Sequence, residues 1–391
     1  MSAALADHVI DPEAEADRDR LAAALRAHAP DRPTLLIDRA ILARRYRALA
    51  GALAPARLFY AVKANPAREV IETLAAEGAA FDAASRAEVE LCLSLGVRPG
   101  DISFGNTVKR AGDIAFAHQA GVGLFVADAE EEIEKIARHA PGAEVTIRVA
   151  VAAGSADWPL ARKFGARPDA VAELLDLARA RGLRAAGLSF HVGSQTRRAG
   201  DWAGPIRIVA ELWHAARAAG HDVEILNIGG GVPARYDPSI PPAAAYGRSV
   251  VGEVATQIGE VPRLMAEPGR AIVAEAGMIG AEVLLVARRS RLDTHRWVYL
   301  DIGRFSGLAE TENEAIRYPV STERGHEPTG PCILAGPTCD SVDVMYERRP
   351  VPLPVGLASG DRVYIAAAGA YTSSYASVGF NGFAPPELIV I

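Results

Sequence analysis

A lysine stands at the end of an apolar run, Leu58-Phe59-Tyr60-Ala61-Val62-Lys63, and the run breaks at Asn65-Pro66. An ammonium is costly to bury unpaired. Burial would also lower its pKa and sharpen it as a nucleophile towards a carbonyl, which is how Schiff-base lysines work. A single lysine at a strand end more often reaches into solvent, so its company decides. Three other apolar runs end in His191-Val192-Gly193-Ser194, Gly229-Gly230-Gly231 and Glu267-Pro268-Gly269-Arg270. Glycines lack a Cβ and let backbone N–H groups approach an anion closely, while Ser194 can add a hydroxyl donor. Arg270 brings positive charge to the same anion. Pro268 holds Glu267 extended, and a carboxylate there can pair with a protonated ring nitrogen. Lysine for an aldehyde, carboxylate for a pyridinium and glycines for a phosphate together specify pyridoxal phosphate.

These groups need a scaffold that brings strand ends together. Short apolar runs recur at 58–64, 80–84, 102–105, 123–127, 145–149, 187–192, 225–229 and 263–267, with helix-like segments between them. Several of those segments stop at a glycine, Gly78, Gly96 and Gly121 among them, as helices commonly do. Eight strands alternating with helices over this length match an α/β fold of the (β/α)8 barrel type, whose functional groups sit at the C-terminal strand ends. A doubly wound open sheet has the same alternation, and periodicity does not separate the two. Beyond Gly277 the alternation stops. Segments 282–289, 296–302, 331–335, 342–346, 362–367 and 387–391 read as strands with no long helices between them, predicting a mostly β C-terminal domain. The expected organisation is a disordered lead over 1–16, a barrel over 40–275, and a β domain built from 17–39 plus 276–391, with a short helix at Asp17–Ala29.

The chain has 391 residues, half of them hydrophobic and 23% charged, a soluble globular balance. A formal charge of −6 gives no electrostatic reason to expect nucleic acid or an anionic membrane as partner. No apolar run reaches membrane-spanning length. Cys92, Cys332 and Cys339 are few and unpatterned, which argues against a disulfide scaffold and for a reducing cytoplasm. No metal site is expected.

The chain resembles the barrel-type, alanine-racemase-like pyridoxal-phosphate-dependent decarboxylases of basic amino acids: ornithine, lysine and diaminopimelate decarboxylases. The matching stretches are Tyr60–Asn65 (YAVKAN), Phe81–Ser85 (FDAAS), His191–Ser194 (HVGS), Gly229–Gly231, Glu267–Arg270 (EPGR), Gly336–Asp343 (GPTCDSVD) and Gly369–Tyr375 (GAYTSSY). They run in the family's order from about residue 35 to the end. The resemblance implies that Lys63 carries the cofactor, His191 stacks on its ring and Glu267 pairs with the pyridine nitrogen. It implies that Ser194, Gly230, Gly231, Arg270 and Tyr371 hold the phosphate, with Asp82 and Arg148 near the ring. Cys339 would protonate the carbanion left by decarboxylation, and Asp340 would receive the substrate's distal ammonium. A homodimer with active sites shared between subunits follows from the same resemblance.

The Cys339-Asp340-Ser341-Val342-Asp343 string looks most like bacterial ornithine or lysine/ornithine decarboxylases. Family members acting on diaminopimelate usually have glutamate after the cysteine. The segment Leu308–Glu314 is acidic and suits an ammonium, with Glu314 the candidate for lining the pocket beside Tyr371. Ornithine and lysine differ by one methylene, worth only about 1–3 kcal/mol in discrimination, so dual activity is expected. Diaminopimelate or arginine decarboxylation is the alternative. A regulator that has lost the chemistry is the rival from another class, and the presence of Lys63, His191, Glu267 and Cys339 together weighs against it.

Overall fold

In the computed structural model, which describes residues 12–151, 156–158 and 163–391, the chain divides into two compact units. One comprises Ala43–Pro233 with Pro242–Ile272; the other comprises residues up to Leu42 with Ala234–Pro241 and Val273–Ile391.

The strand β1 (Thr34–Ile37) belongs to the second unit. In the first, β2 (Arg57–Ala61), β3 (Ala80–Ala83), β4 (Ile102–Phe104), β5 (Leu124–Ala127) and β6 (Glu144–Val149) pair in sequence, all parallel. An antiparallel pair of short strands, β7 (Ala156–Trp158) and β9 (Ser194–Thr196), stands apart from this sheet. The sheet continues through β8 (Arg184–Phe190), β10 (Ile225–Asn227) and β11 (Arg263–Ala266), and β11 returns to β2 with Ala266 opposite Leu58. That last pairing closes the barrel and excludes the open sheet. All eight strands fall on the eight apolar runs of the sequence.

Parallel strands covered on both faces need side chains that tolerate burial throughout, and Leu124–Ala127 are buried without exception. Inside the barrel, Phe59, Ala80, Leu124, Ala186, Ile225 and Met265 form one packed cluster. Gly187 stands opposite Ile225 where β8 and β10 approach closely. A Cβ at 187 would lie 1.8 Å from the Ile225 carbonyl oxygen. Between strands, helices start on ordinary capping chemistry: the N-cap Ser85 accepts from Glu88 N–H, and the Glu88 carboxylate accepts from Ala84 N–H, one residue before the cap, at 2.6 Å.

The second unit is a nine-stranded sheet. Its remaining strands are β12 (Gly277–Ala287), β13 (Arg296–Leu300), β14 (Val320–Thr322), β15 (Thr329–Ala335), β16 (Val344–Met345), β17 (Val351–Pro354), β18 (Arg362–Ala366) and β19 (Glu387–Val390). β1 runs antiparallel to β12 and parallel to β19, so the first strand of the chain is held between distant partners.

Several expectations need correction. The first helix spans Pro12–His28 instead of Asp17–Ala29. A proline is well tolerated in a first helical turn, and Glu13 and Glu15 suit the helix N-terminus. Residues 12–16 are therefore helical, while the rest of the expected disordered lead lies outside the described residues. β12 begins at Gly277 because Gly277 and Gly369 let two backbones cross, a Cβ on Gly277 meeting Gly369 Cα at 2.5 Å. β17 was not anticipated, since Pro352 and Pro354 argue against a strand. It pairs with β15 alone, where an edge leaves room for residues that cannot donate. Ala234–Pro241, read as barrel sequence, packs with the second unit: Tyr236 meets Tyr318 edge-on at 5.5 Å and Arg235 N–H donates to Glu275. No helix among the described residues is long and apolar enough to cross a membrane.

Gly187→Ala should cost on the order of 3 kcal/mol or more, because the clash is with backbone and cannot be relieved by a rotamer change. Urea unfolding measures this, and a wild-type midpoint would show that β8 and β10 can part without loss.

Candidate active site

Lys63 does not close a strand. β2 ends at Ala61, and Lys63 sits in the 3-10 turn Val62–Ala64 with its side chain exposed. The expectation that the first barrel strand ends at Lys63 is thus corrected: β2 stops two residues earlier and the lysine sits in the turn that follows. The turn itself is tightly held. Tyr60 Oη donates to the Asn65 carbonyl at 3.1 Å, and Asn65 Oδ1 accepts from Ala67 N–H. Gly269 lets the Glu267–Arg270 turn pack directly on it, since a Cβ there would lie 2.7 Å from Ala64 Cβ.

The ends of the other strands bring eight further predicted residues to the same mouth: Asp82 in β3, Arg148 in β6, His191 after β8, Ser194 at the start of β9, Gly230 and Gly231 after β10, and Glu267 and Arg270 after β11. Asp82 is buried, and its carboxyl is raised well above the usual range, first by burial and then by the nearby Glu267, with Lys63 and Arg148 opposing. Asp82 Oδ1 has no hydrogen-bond partner among the described residues. Gly105 makes room for it, because a Cβ at 105 would lie 1.9 Å from that oxygen.

His191 is pushed well below its ordinary pKa by burial and by the positive charges of Arg148 and Lys63. Gly193 N–H donates to its Nδ1 at 2.9 Å, so Nδ1 is an acceptor and the proton of the neutral ring is on Nε2. The imidazole is therefore a neutral plate with a fixed tautomer. A Cβ on Gly230 would stand 3.0 Å from His191 Nε2 and 2.7 Å from the Glu267 carbonyl oxygen; one on Gly231 would stand 2.5 Å from the Gly193 carbonyl oxygen. The glycine loop thus lies against both neighbouring strand ends with no space for a side chain. Arg270 reaches Ser194 Oγ through Nε at 3.3 Å and Nη2 at 3.1 Å, setting a guanidinium and a hydroxyl side by side.

Residues 39–274 match the family described as pyridoxal-dependent decarboxylase, pyridoxal binding domain. The chain belongs to this family. It is 33% identical to the lysine/ornithine decarboxylase of Selenomonas ruminantium over 84% of this chain and 81% of that one. A decarboxylase of Aspergillus flavus is 33% identical over 90% of this chain and 84% of its own. Among solved structures, the lysine/ornithine decarboxylase of Vibrio vulnificus complexed with cadaverine superposes with a TM-score of 0.85 at 33% identity, covering 95% of this chain and 98% of that one.

The protein is a pyridoxal-phosphate-dependent decarboxylase, and its barrel mouth fits that cofactor. It offers a primary amine, a neutral flat ring, a fixed carboxylate, a glycine cradle and a guanidinium–hydroxyl pair, one for each feature of an aromatic aldehyde phosphate.

The other predicted residues of this decarboxylase, Cys339, Asp340, Tyr371 and Glu314, lie in the second unit. Cys339 is exposed, on a loop organised by a residue the sequence reading left out. Asp343 is 2% exposed. Its Oδ1 accepts from Arg304 N–H at 2.7 Å, and its Oδ2 accepts from Thr338 Oγ1 at 2.7 Å and Thr338 N–H at 3.2 Å. Asn381 Oδ1 accepts from Cys339 N–H at 3.1 Å, and Asp340 Oδ1 accepts from Val342 N–H. Tyr371 has φ +54°, an uncommon conformation for a bulky residue that a surrounding structure must enforce.

Glu314 is corrected. Its carboxylate accepts from Arg348 N–H, Arg349 N–H, Arg349 Nε and Arg317 Nη1 at 2.7–3.1 Å, which holds it below the usual carboxylate range. It is committed to the unit's own structure. In the same turn Glu312 is exposed and pairs with Arg304 at 3.6 Å, whereas Glu310 is buried.

Gly230→Ala tests the cradle without altering charge. Cofactor affinity of the apoprotein, followed by absorbance titration, should fall about tenfold or more because the added methyl meets backbone and a fixed ring. Unchanged affinity would mean that the loop does not line the cofactor site.

Proposed function

We propose that this decarboxylase acts on L-ornithine and L-lysine, releasing carbon dioxide and putrescine or cadaverine. The observation that carries this reading is Asp340 directly after Cys339 on a loop pinned by Asp343. It is supported by relatives named for lysine and ornithine.

Bound pyridoxal phosphate supplies the electron sink for the pair left when the α-carboxylate departs. Lys63 Nζ is the attachment point for the cofactor aldehyde. Glu267 would present its carboxylate to the ring nitrogen, and neutral His191 would support the ring. Gly230, Gly231, Ser194, Arg270 and Tyr371 hold the phosphate. Cys339 Sγ–H delivers a proton to the substrate α-carbon. Asp340 takes the distal ammonium, a charge pair that a neutral side chain of similar length would not make. Asp82 and Arg148 set the electrostatic surroundings.

We further propose a homodimer with shared sites. Cys339 is exposed in the single chain, and the segments around it and Asn381 expose Val342 at 52%, Val378 at 86%, and Phe380 and Phe383 at 37% each. Such apolar exposure around a reactive thiol suits a covered surface. A cytoplasmic location is supported by the free thiols Cys92, Cys332 and Cys339.

Product analysis with ornithine, lysine, arginine and meso-diaminopimelate side by side tests the substrate reading, which arginine or diaminopimelate turnover alone would overturn. Asp340→Ala should raise KM for the preferred substrate about 30-fold or more, as expected when one partner of a desolvated charge pair is removed, with cofactor absorbance unchanged.

Sharing between subunits makes a separate prediction. Mixing inactive Lys63→Ala with inactive Cys339→Ala protein under subunit exchange should restore activity, since one of the two sites in a heterodimer regains both residues. Exchange without recovery would place both residues in one subunit's site.

A further inference from the structure

Asn227 ends β10 and is 2% exposed. Both ends of its amide are engaged. Oδ1 accepts from Gly229 N–H at 2.8 Å, and because a backbone N–H can only donate, this contact fixes which end of the amide is which. Nδ2 therefore faces Glu267 and donates to its Oε1. The backbone repeats the link: Glu267 N–H donates to the Gly229 carbonyl at 2.8 Å. Gly229 has φ +70° and no room for a Cβ, which would fall 2.2 Å from the Phe190 carbonyl oxygen. Asn227, Gly229 and Glu267 thus form a closed loop of three hydrogen bonds across the ends of β10 and β11.

We propose that Asn227 is the positioning residue of the catalytic carboxylate: it occupies Glu267 Oε1, so that Oε2 is the oxygen presented to the cofactor's ring nitrogen. This rests on the reading of Glu267 given above and deepens it. The choice of amide has a chemical reason. Asn227 is sterically equivalent to aspartate but never ionises, so it donates to Glu267 at every pH. Glu267 already faces the buried Asp82, and the other ionisable groups of the mouth are Lys63, Glu88, Arg148, His191 and Arg270. An aspartate at 227 would add a third acid beside Asp82 and Glu267, and its contact with Glu267 would exist only while the two carboxylates shared a proton.

Two substitutions read this out. In Asn227→Ala the cofactor affinity of the apoprotein and kcat should each fall about tenfold, with KM within about twofold, the size of a lost hydrogen bond to a charged group. In Asn227→Asp, which keeps shape and serves if truncation loosens the fold, the absorbance of bound cofactor should show a new pH-dependent transition between about pH 6 and 9, absent from the wild type and from Asn227→Ala. Apoprotein melting of each variant separates positioning from general instability. Glu267→Gln is run alongside. Impaired Glu267→Gln with Asn227 variants that keep wild-type affinity and pH profile overturns the role of Asn227 alone. Unimpaired Glu267→Gln overturns the reading of Glu267 and this inference with it.

Discussion

The barrel mouth gathers more ionisable side chains than a poorly hydrated strand end can keep charged, and its organisation follows from how that conflict is settled. Asp82, Glu88 and Glu267 contribute three carboxyls; Lys63, Arg148 and Arg270 contribute three cations; His191 could add a fourth. Burial raises the Asp82 and Glu88 carboxyls, whereas burial and two neighbouring cations keep His191 neutral. Each shift favours the uncharged form without removing a side chain. A cofactor carrying a phosphate, a ring nitrogen and an aldehyde then meets groups whose protonation is set by the protein beforehand, and preorganisation of this kind lowers the electrostatic reorganisation that a reaction would otherwise require.

The neutral state of His191 depends on local backbone as much as on charge. Gly193 N–H fixes the tautomer, and the glycine loop after β10 comes close enough to leave no space around Nε2 for a side chain. The same closeness orients Glu267 through Gly229. Packing at the mouth and protonation at the mouth are therefore one problem: a methyl group placed on the loop would displace the ring or the carboxylate whose electrostatics the site uses.

Much of this was legible in the sequence because it lies in strand ends and short motifs. Eight apolar runs gave eight strands, and the lysine, histidine, glycines and Glu-Pro-Gly-Arg turn fell together as expected. What escaped depended on three-dimensional pairing. Lys63 was read as the end of a strand because apolar periodicity cannot register a 3-10 turn three residues long. Glu314 was read as a pocket carboxylate because its acidic neighbourhood is visible in sequence, whereas Arg349 and the left-handed backbone at Asn313 and Glu314 that turn it inward are not. Asp343 was passed over at the end of the Cys-Asp-Ser-Val-Asp string, and Asn227 within an apolar run. Their importance lies in the donors and acceptors they satisfy, and only coordinates show those.

Substrate choice rests on a different kind of contact from cofactor choice. In the proposed arrangement the barrel would meet several features of the cofactor at once, each with its own group. A distal ammonium met by one carboxylate on a loop is recognised mainly by charge. The carboxylate–ammonium pair proposed for Asp340 would exclude a neutral or acidic side chain strongly, because either would leave that carboxylate desolvated and unpaired. It grades chain length weakly, since one methylene changes binding by only about 1–3 kcal/mol. Length selection would require a rigid wall opposite Asp340. The loop's firm anchors, Asp343 and Asn381, hold the backbone of residues 338–339 and 343, while among the described residues Asp340's own side chain is tied only to the nearby Val342 N–H. A carboxylate held through its own loop can follow an ammonium over the span of a methylene, so a site built this way favours a pair of homologous substrates over a single one.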